Sequence, residues 1–164
     1  MNMVPYISSN KKRLEEVMFH EVTIMRNFLT SLQDEHLAIT TDNQFMIDKV
    51  IDERTELASS FEDWSEELIE ITKKLAGEKL VSIPDNVRLR HSEALEILRN
   101  CLDPEDFELL SLREQIEVIM REIYHLNDIN AHLIQDKITF DGFHCPLPEL
   151  EKPKPKSTVA LLDE

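Results

Sequence analysis

Glu122-Ile123-Tyr124-His125 sets a carboxylate and an imidazole three residues apart, the Glu-x-x-His spacing that puts two metal ligands on one helix face in di-iron bundles. His132 follows two turns later on the same face. Such a centre needs a second Glu-x-x-His unit and glutamates from two further helices aimed at one core. The sequence does not supply them: Glu16 and His20 are four residues apart, and Glu35 and His36 are adjacent. Thiol chemistry has as little support. Cys101 and Cys145 are far apart and form no Cys-x-x-Cys or Cys/His spacing, so neither a disulfide framework nor a zinc site is indicated. Cys101, between Leu98 and Leu102, reads as a small core residue. With no glycine-rich phosphate loop and no Gly-x-Ser-x-Gly turn, the reading is of a protein that is not an enzyme, with no metal and no cofactor.

The elements that carry these residues are constrained by composition. The chain has 164 residues, enough for one domain with a sizeable core, and only two are glycine. Aromatic residues make up 6%, which together with the scarcity of glycine excludes a sheet-rich fold and points to long helices with few joints. Eighteen basic against 33 acidic residues leave a net charge of −15, a field that repels phosphates and excludes nucleic acid where no basic patch exists. The start of the chain shows no basic region followed by an apolar run, so no secretory signal is read there. Charges interrupt every apolar stretch, which excludes a membrane-spanning helix and membrane insertion, and two cysteines without disulfide or zinc spacing make a reducing cytoplasm the expected location.

The first helical stretch, about Ser9 to Ile39, carries Leu14, Met18, Met25, Phe28, Leu32 and Ile39 as an apolar stripe, widened by Val17, Ile24 and Leu29. Thr41 with Gln44 fits a capping box and places a joint there, although the apolar period can also be threaded through it as one helix. A second helix, about Asp42 to Ala76, repeats the stripe with Met46, Val50, Leu57, Phe61, Trp64, Leu68, Ile71 and Leu75. Lys73 and Lys74 are expected in its last turn, with Gly77 as a left-handed cap. A shorter helix follows at roughly Asn86 to Leu102, and Asp103-Pro104-Glu105 reads as the start of a last one running to Thr139. Its stripe is regular, Leu109, Leu112, Ile116, Ile119, Ile123, Leu126, Asn130 and Leu133, with Asn130 as its one polar member. An amide in a packed seam either fixes register or contacts a partner, and both remain open for Asn130.

The run Leu126-Asn127-Asp128-Ile129-Asn130-Ala131-His132-Leu133-Ile134 has the form L-N-x-x-N-x-x-L-I near the end of a long final helix. It resembles the FlgN family of export chaperones of flagellar and related type III secretion systems. Leu29, Leu32 and Glu35 followed by Asp42, then Glu53-Arg54 and Leu57, are similar to that family's first two helices. Arg54 stands where lysine is usual, and no glycine follows Asn130 where one is common.

The resemblance implies a non-enzymatic cytoplasmic protein that binds a secreted flagellar or type III secretion subunit, of the hook-filament junction type. It would keep the subunit's terminal helices from associating early and deliver them to the export gate or export ATPase. Its expected partner-binding residues are Leu126, Asn127, Asn130, Leu133 and Ile134, with Phe140, Phe143, Val159, Leu161 and Leu162 from the C-terminal region. The other reading of the stripes is a structural coiled-coil or adaptor protein that acts by self-assembly, and a homodimer stays open.

Past Thr139 the chain changes character. Pro146, Pro148, Pro153 and Pro155 stop any continuing helix, and Lys152, Lys154 and Lys156 alternate with the last two prolines in an arrangement expected to be extended. The expected organisation is a flexible N-terminus over 1–8, a helical bundle over 9–139 and a Pro/Lys-rich tail over 140–164 with a short apolar end. The fold class is all-α: an elongated antiparallel helical bundle, built of a long helical hairpin plus a short and a long C-terminal helix, with a flexible C-terminal tail.

Overall fold

The computed structural model describes residues 8–84 and 88–141, with side chains described as far as Lys137. Four helices, α1 (Ser9–Thr40), α2 (Gln44–Glu78), α3 (His91–Cys101) and α4 (Phe107–Asp141), account for its regular structure, and the all-α bundle expected from composition is what forms. The apolar stripe of α1 is buried throughout, with Leu14, Met18, Leu32 and Ile39 essentially out of solvent. It meets Leu68, Ile71 and Leu75 of α2, Ala94, Leu95 and Leu98 of α3, and Leu109, Ile116, Ile119 and Ile123 of α4 in one core. A smaller cluster of Ala38, Ile39, Ile47 and Ile134 closes the far end.

The joint between α1 and α2 lies where the threonines placed it, but its chemistry differs. Asn43 is the N-cap of α2, its side-chain oxygen accepting from the Met46 amide at 3.2 Å. Thr41 turns its hydroxyl back to the Leu37 carbonyl at 2.7 Å, and the Gln44 amide group goes to Asp48, so the expected capping box does not form. Asp42 takes the left-handed conformation, φ 59°, and the Asn43 amide reaches the Ala38 carbonyl at 2.9 Å, which satisfies the end of α1.

Gly77 is a second correction. The helix runs through it to Glu78, and the left-handed residue is Leu80, φ 57°. Buried Leu75 and Ala76 hold the last turn against the core, and their carbonyls are taken by the Lys79 and Val81 amides at 3.0 and 2.8 Å. Lys73 and Lys74 lie further in than the last turn, with Lys73 paired to Glu70. At α4 the expected cap at Asp103 is replaced by a turn, Asp106 N–H to Asp103 carbonyl at 3.0 Å, and the helix begins at Phe107. The Asp103 carboxylate is engaged instead by Lys79 and Lys11.

Antiparallel packing describes the α1/α2 hairpin, whereas α4 runs parallel to α1. Lys11 meets Asp106 at 2.7 Å near the start of both helices, and Lys137 meets Asp42 at 2.6 Å beyond the end of α1. The 11-residue α3 makes this possible. It begins level with the middle of α1, where His91 Nε2 donates to the fully buried Glu21 at 2.9 Å, and carries the chain back to the start of α1 along α2. Because α3 is about 16 Å long against about 48 Å for α1, four helices pack at one end and three at the other.

Candidate partner-binding surface

At the three-helix end the apolar stripes are interrupted by one polar layer. Asn130, on α4, is fully buried, and its Nδ2 donates to Glu35 Oε2 at 2.8 Å and to the Leu32 carbonyl at 2.9 Å, both on α1. Those two acceptors fix the orientation of the amide, so Oδ1 accepts from His36 Nδ1 at 2.9 Å. Glu35 in turn faces Arg54 of α2, Oε1 to Nη2 at 2.8 Å, with both side chains at 1% exposure or less. Neither Oε1 nor any guanidinium nitrogen makes an aligned hydrogen bond among the described residues. The attraction between opposite charges at this distance does not need that alignment. The guanidinium carbon also lies 5.9 Å from the centre of the Phe28 ring, within cation–π range. One amide, one carboxylate and one guanidinium thus connect all three long helices, and removal of any one leaves a buried polar or charged group without its partner.

The residues expected to bind a partner are distributed unevenly about this layer. Asn130 and Ile134 are interior, the latter in the cluster with Ala38, Ile39 and Ile47. Leu126 and Leu133 pack on the core while keeping part of their surface in water, and Asn127 is also half-buried. Phe140 belongs to the last turn of α4, but its side chain is outside the described residues, as are Phe143, Val159, Leu161 and Leu162. The exposed pair His125 and Glu122 gathers no further ligand, and His132 donates from Nδ1 to the Asp128 carbonyl at 2.7 Å. Among the described residues no three His, Cys, Asp or Glu side chains come together where they could hold a metal ion.

Sequence reasoning missed the exposed aromatics. Phe19 on α1 and Phe107 at the start of α4 are 62% and 74% exposed and flank one shallow groove with Leu112. The signal was present at Phe107, which stands between Asp106 and Glu108 ahead of the stripe that begins at Leu109, but not at Phe19, which follows the core residues Val17 and Met18.

The same end of the bundle is tied by an acidic hub. Asp103 meets Lys79 at 2.7 Å and Lys11 at 2.9 Å, and these hydrogen bonds, the one from Lys79 first, push its pKa down to about 2. Burial disfavours the Lys11 charge, but its bonds to Asp106 and Asp103 outweigh that and hold its pKa above the ordinary lysine value. Burial raises the Cys101 thiol, which keeps it inert. Among the described residues no helix is long and apolar enough to cross a membrane.

The described residues form an all-α bundle of three long helices and one short one, with a buried polar layer and partly exposed apolar edges. The family description "FlgN protein" matches residues 3–142, which takes in all four helices, and the chain belongs to the FlgN family of chaperones. No curated protein and no solved structure matches it.

Proposed function

We propose that this chain is a cytoplasmic export chaperone for a late flagellar subunit of the hook-filament junction type. It binds the subunit's helical termini, keeps them from associating early and brings them to the export gate. The observation that carries this reading is the family match across residues 3–142, which leaves none of the four helices outside it. The physical form supports it. A chain of net charge −15 stays soluble, and the half-exposed apolar edge of α4, Leu126 and Leu133, suits the apolar face of a partner's amphipathic helix.

In this reading Asn130 and Ile134 act by holding α4 in register on α1, while Leu126, Asn127 and Leu133 meet the client directly. Phe140, at the end of α4, and the C-terminal residues Phe143, Val159, Leu161 and Leu162 extend the contact in this reading. Co-purification from the native cell, with identification of the partner by mass, tests the proposal. A hook-filament junction subunit is the expected partner; recovery of nothing but further copies of the chain would favour self-assembly instead.

A further inference from the structure

A second groove, of about 550 Å³, is lined by α1 and α2 alone. Asp34, Glu53 and Glu56 give it three carboxylates, Leu57 gives it an apolar wall, and no lysine, arginine or histidine belongs to its lining. Glu53 is met by Lys49 at 3.6 Å, an exposed pair on one helix, while Asp34 and Glu56 have no cationic partner among the described residues. Because α1 and α2 run antiparallel with Glu35 against Arg54, Asp34 lies level with Glu53 and Glu56 at one end of the groove. Arg54 turns inward to Glu35, so its charge is already matched, whereas Glu53 and Leu57 of the same run line the groove.

The lining also holds Ser31, which is 5% exposed and whose Oγ has no hydrogen-bond partner among the described residues. A hydroxyl inside a helix commonly bonds back to the carbonyl four residues earlier. Thr23, Thr30, Thr55 and Thr72 do so, at distances between 2.7 and 3.1 Å. Ser31 does not, and a buried hydroxyl left unpaired beside a groove calls for a polar group from outside the chain. A metal ion is not that group, since among the described residues no three His, Cys, Asp or Glu side chains come together to hold one. A guanidinium fits the chemistry better than an ammonium. Its planar fork of five N–H donors can address two carboxylates and a hydroxyl at once, and its weakly hydrated stem suits Leu57. The lining advances about 10 Å along each helix at 1.5 Å per residue, the span of about three residues of extended peptide.

We infer that this groove binds an arginine side chain presented by a partner protein, its guanidinium held between Asp34 and Glu56, its N–H groups donating also to Ser31 Oγ, and its methylenes lying on Leu57. Charge-assisted pairing of this kind is specific in direction as well as strength, so the groove acts as an anchor point for a basic segment. The site draws on α1 and α2 only and does not depend on the export reading, which rests on the family match and on α4.

Titration of acetyl-argininamide into the isotope-labelled full chain at constant ionic strength, followed by amide chemical shifts, tests this. The expected result is saturable shifts confined to Asn27–Glu35 and Glu53–Ser60, with binding about tenfold weaker for acetyl-citrullinamide, which keeps the shape of arginine without its charge. Asp34→Asn with Glu56→Gln should abolish the shifts; both side chains are exposed, so that double variant keeps the core. Ser31→Ala should weaken binding about threefold. The inference is overturned by the absence of saturable shifts, by equal shifts along the acidic face from Asp63 to Glu70, or by binding that either variant leaves unchanged. Equal binding of acetyl-lysinamide, or the same saturable shifts with magnesium chloride alone, also overturns it, since any cation would then serve.

Discussion

Asn130 on α4 donates a 2.8 Å hydrogen bond to Glu35 on α1, and neither side chain has any exposed surface. The parallel pairing of α1 with α4 is specified at this point. A slip of α4 by one turn would pull the amide from Glu35, Leu32 and His36 together and leave the buried Asn130 without those three partners. The apolar steps on either side, by contrast, can be matched in more than one register.

Asn130→Ala is expected to lower stability by about 2–3 kcal/mol, because the Glu35 carboxylate and the Leu32 carbonyl lose their donor in a dry interior. Asn127→Ala, at a half-buried position on the same helix, should cost less than about 1 kcal/mol. Urea midpoints at equal slope measure both, and equal costs would remove the special role of the layer.

The Glu35–Arg54 pair makes a prediction about non-additivity. Arg54→Met alone leaves a buried carboxylate facing no charge and should cost about 3–5 kcal/mol. The double variant Glu35→Leu with Arg54→Met should be more stable than that single one, since no uncompensated charge remains. A double-mutant cycle with no coupling would contradict the pairing.

Much of this bundle could be read from the residues alone, for identifiable reasons. The α1 stripe and the regular stripe of α4 are long and strictly periodic, so their buried faces follow from spacing. Asn130 was visible as a polar break in a seam, and Glu35 and Arg54 were visible as residues of the family resemblance. Their contact was not, because it joins three helices whose relative register no local pattern encodes. The parallel course of α4 escaped for the same reason: it depends on how far α3 carries the chain back. Gly77 misled because a glycine near a helix end is the usual left-handed cap, whereas here burial of Leu75 and Ala76 extends the helix and Leu80 takes that conformation. Of the expected site, the α4 residues can be placed, while the tail residues lie outside the described chain.

Leu80 is strained at φ 57° and 93% exposed, so its side chain returns almost no burial for the left-handed backbone it must adopt. Leu80→Gly is expected to stabilise the fold by about 0.5–1 kcal/mol, with the loss of unfolded-state restriction already subtracted. A thermal melt that falls rather than rises would show that Leu80 packs on something in solution.

The hub at Asp103 gives a pH dependence with a definite sign. Folding lowers its pKa from 3.8 to about 2, so its contribution is complete above 3.8 and is lost as pH falls through about 2. Lys11 acts at the other limit: its pKa is raised above 10.5, so its contribution is present below that value and fades as pH rises beyond the folded pKa. The difference in melting temperature between the wild-type chain and Asp103→Asn should be constant at neutral pH and shrink below about pH 4. Its size should be small, because Asp103 is exposed and solvent screens the pair. A difference that persists unchanged to the acid limit would assign it to packing rather than charge.

Calorimetric titration of a purified hook-filament junction subunit into the full chain tests the central claim most directly. The predicted result is saturable binding that weakens by about tenfold, or 1.4 kcal/mol, when residues 157–164 are removed and helicity is retained. No binding by a folded full-length chain, with light scattering showing only its own self-association, would contradict it.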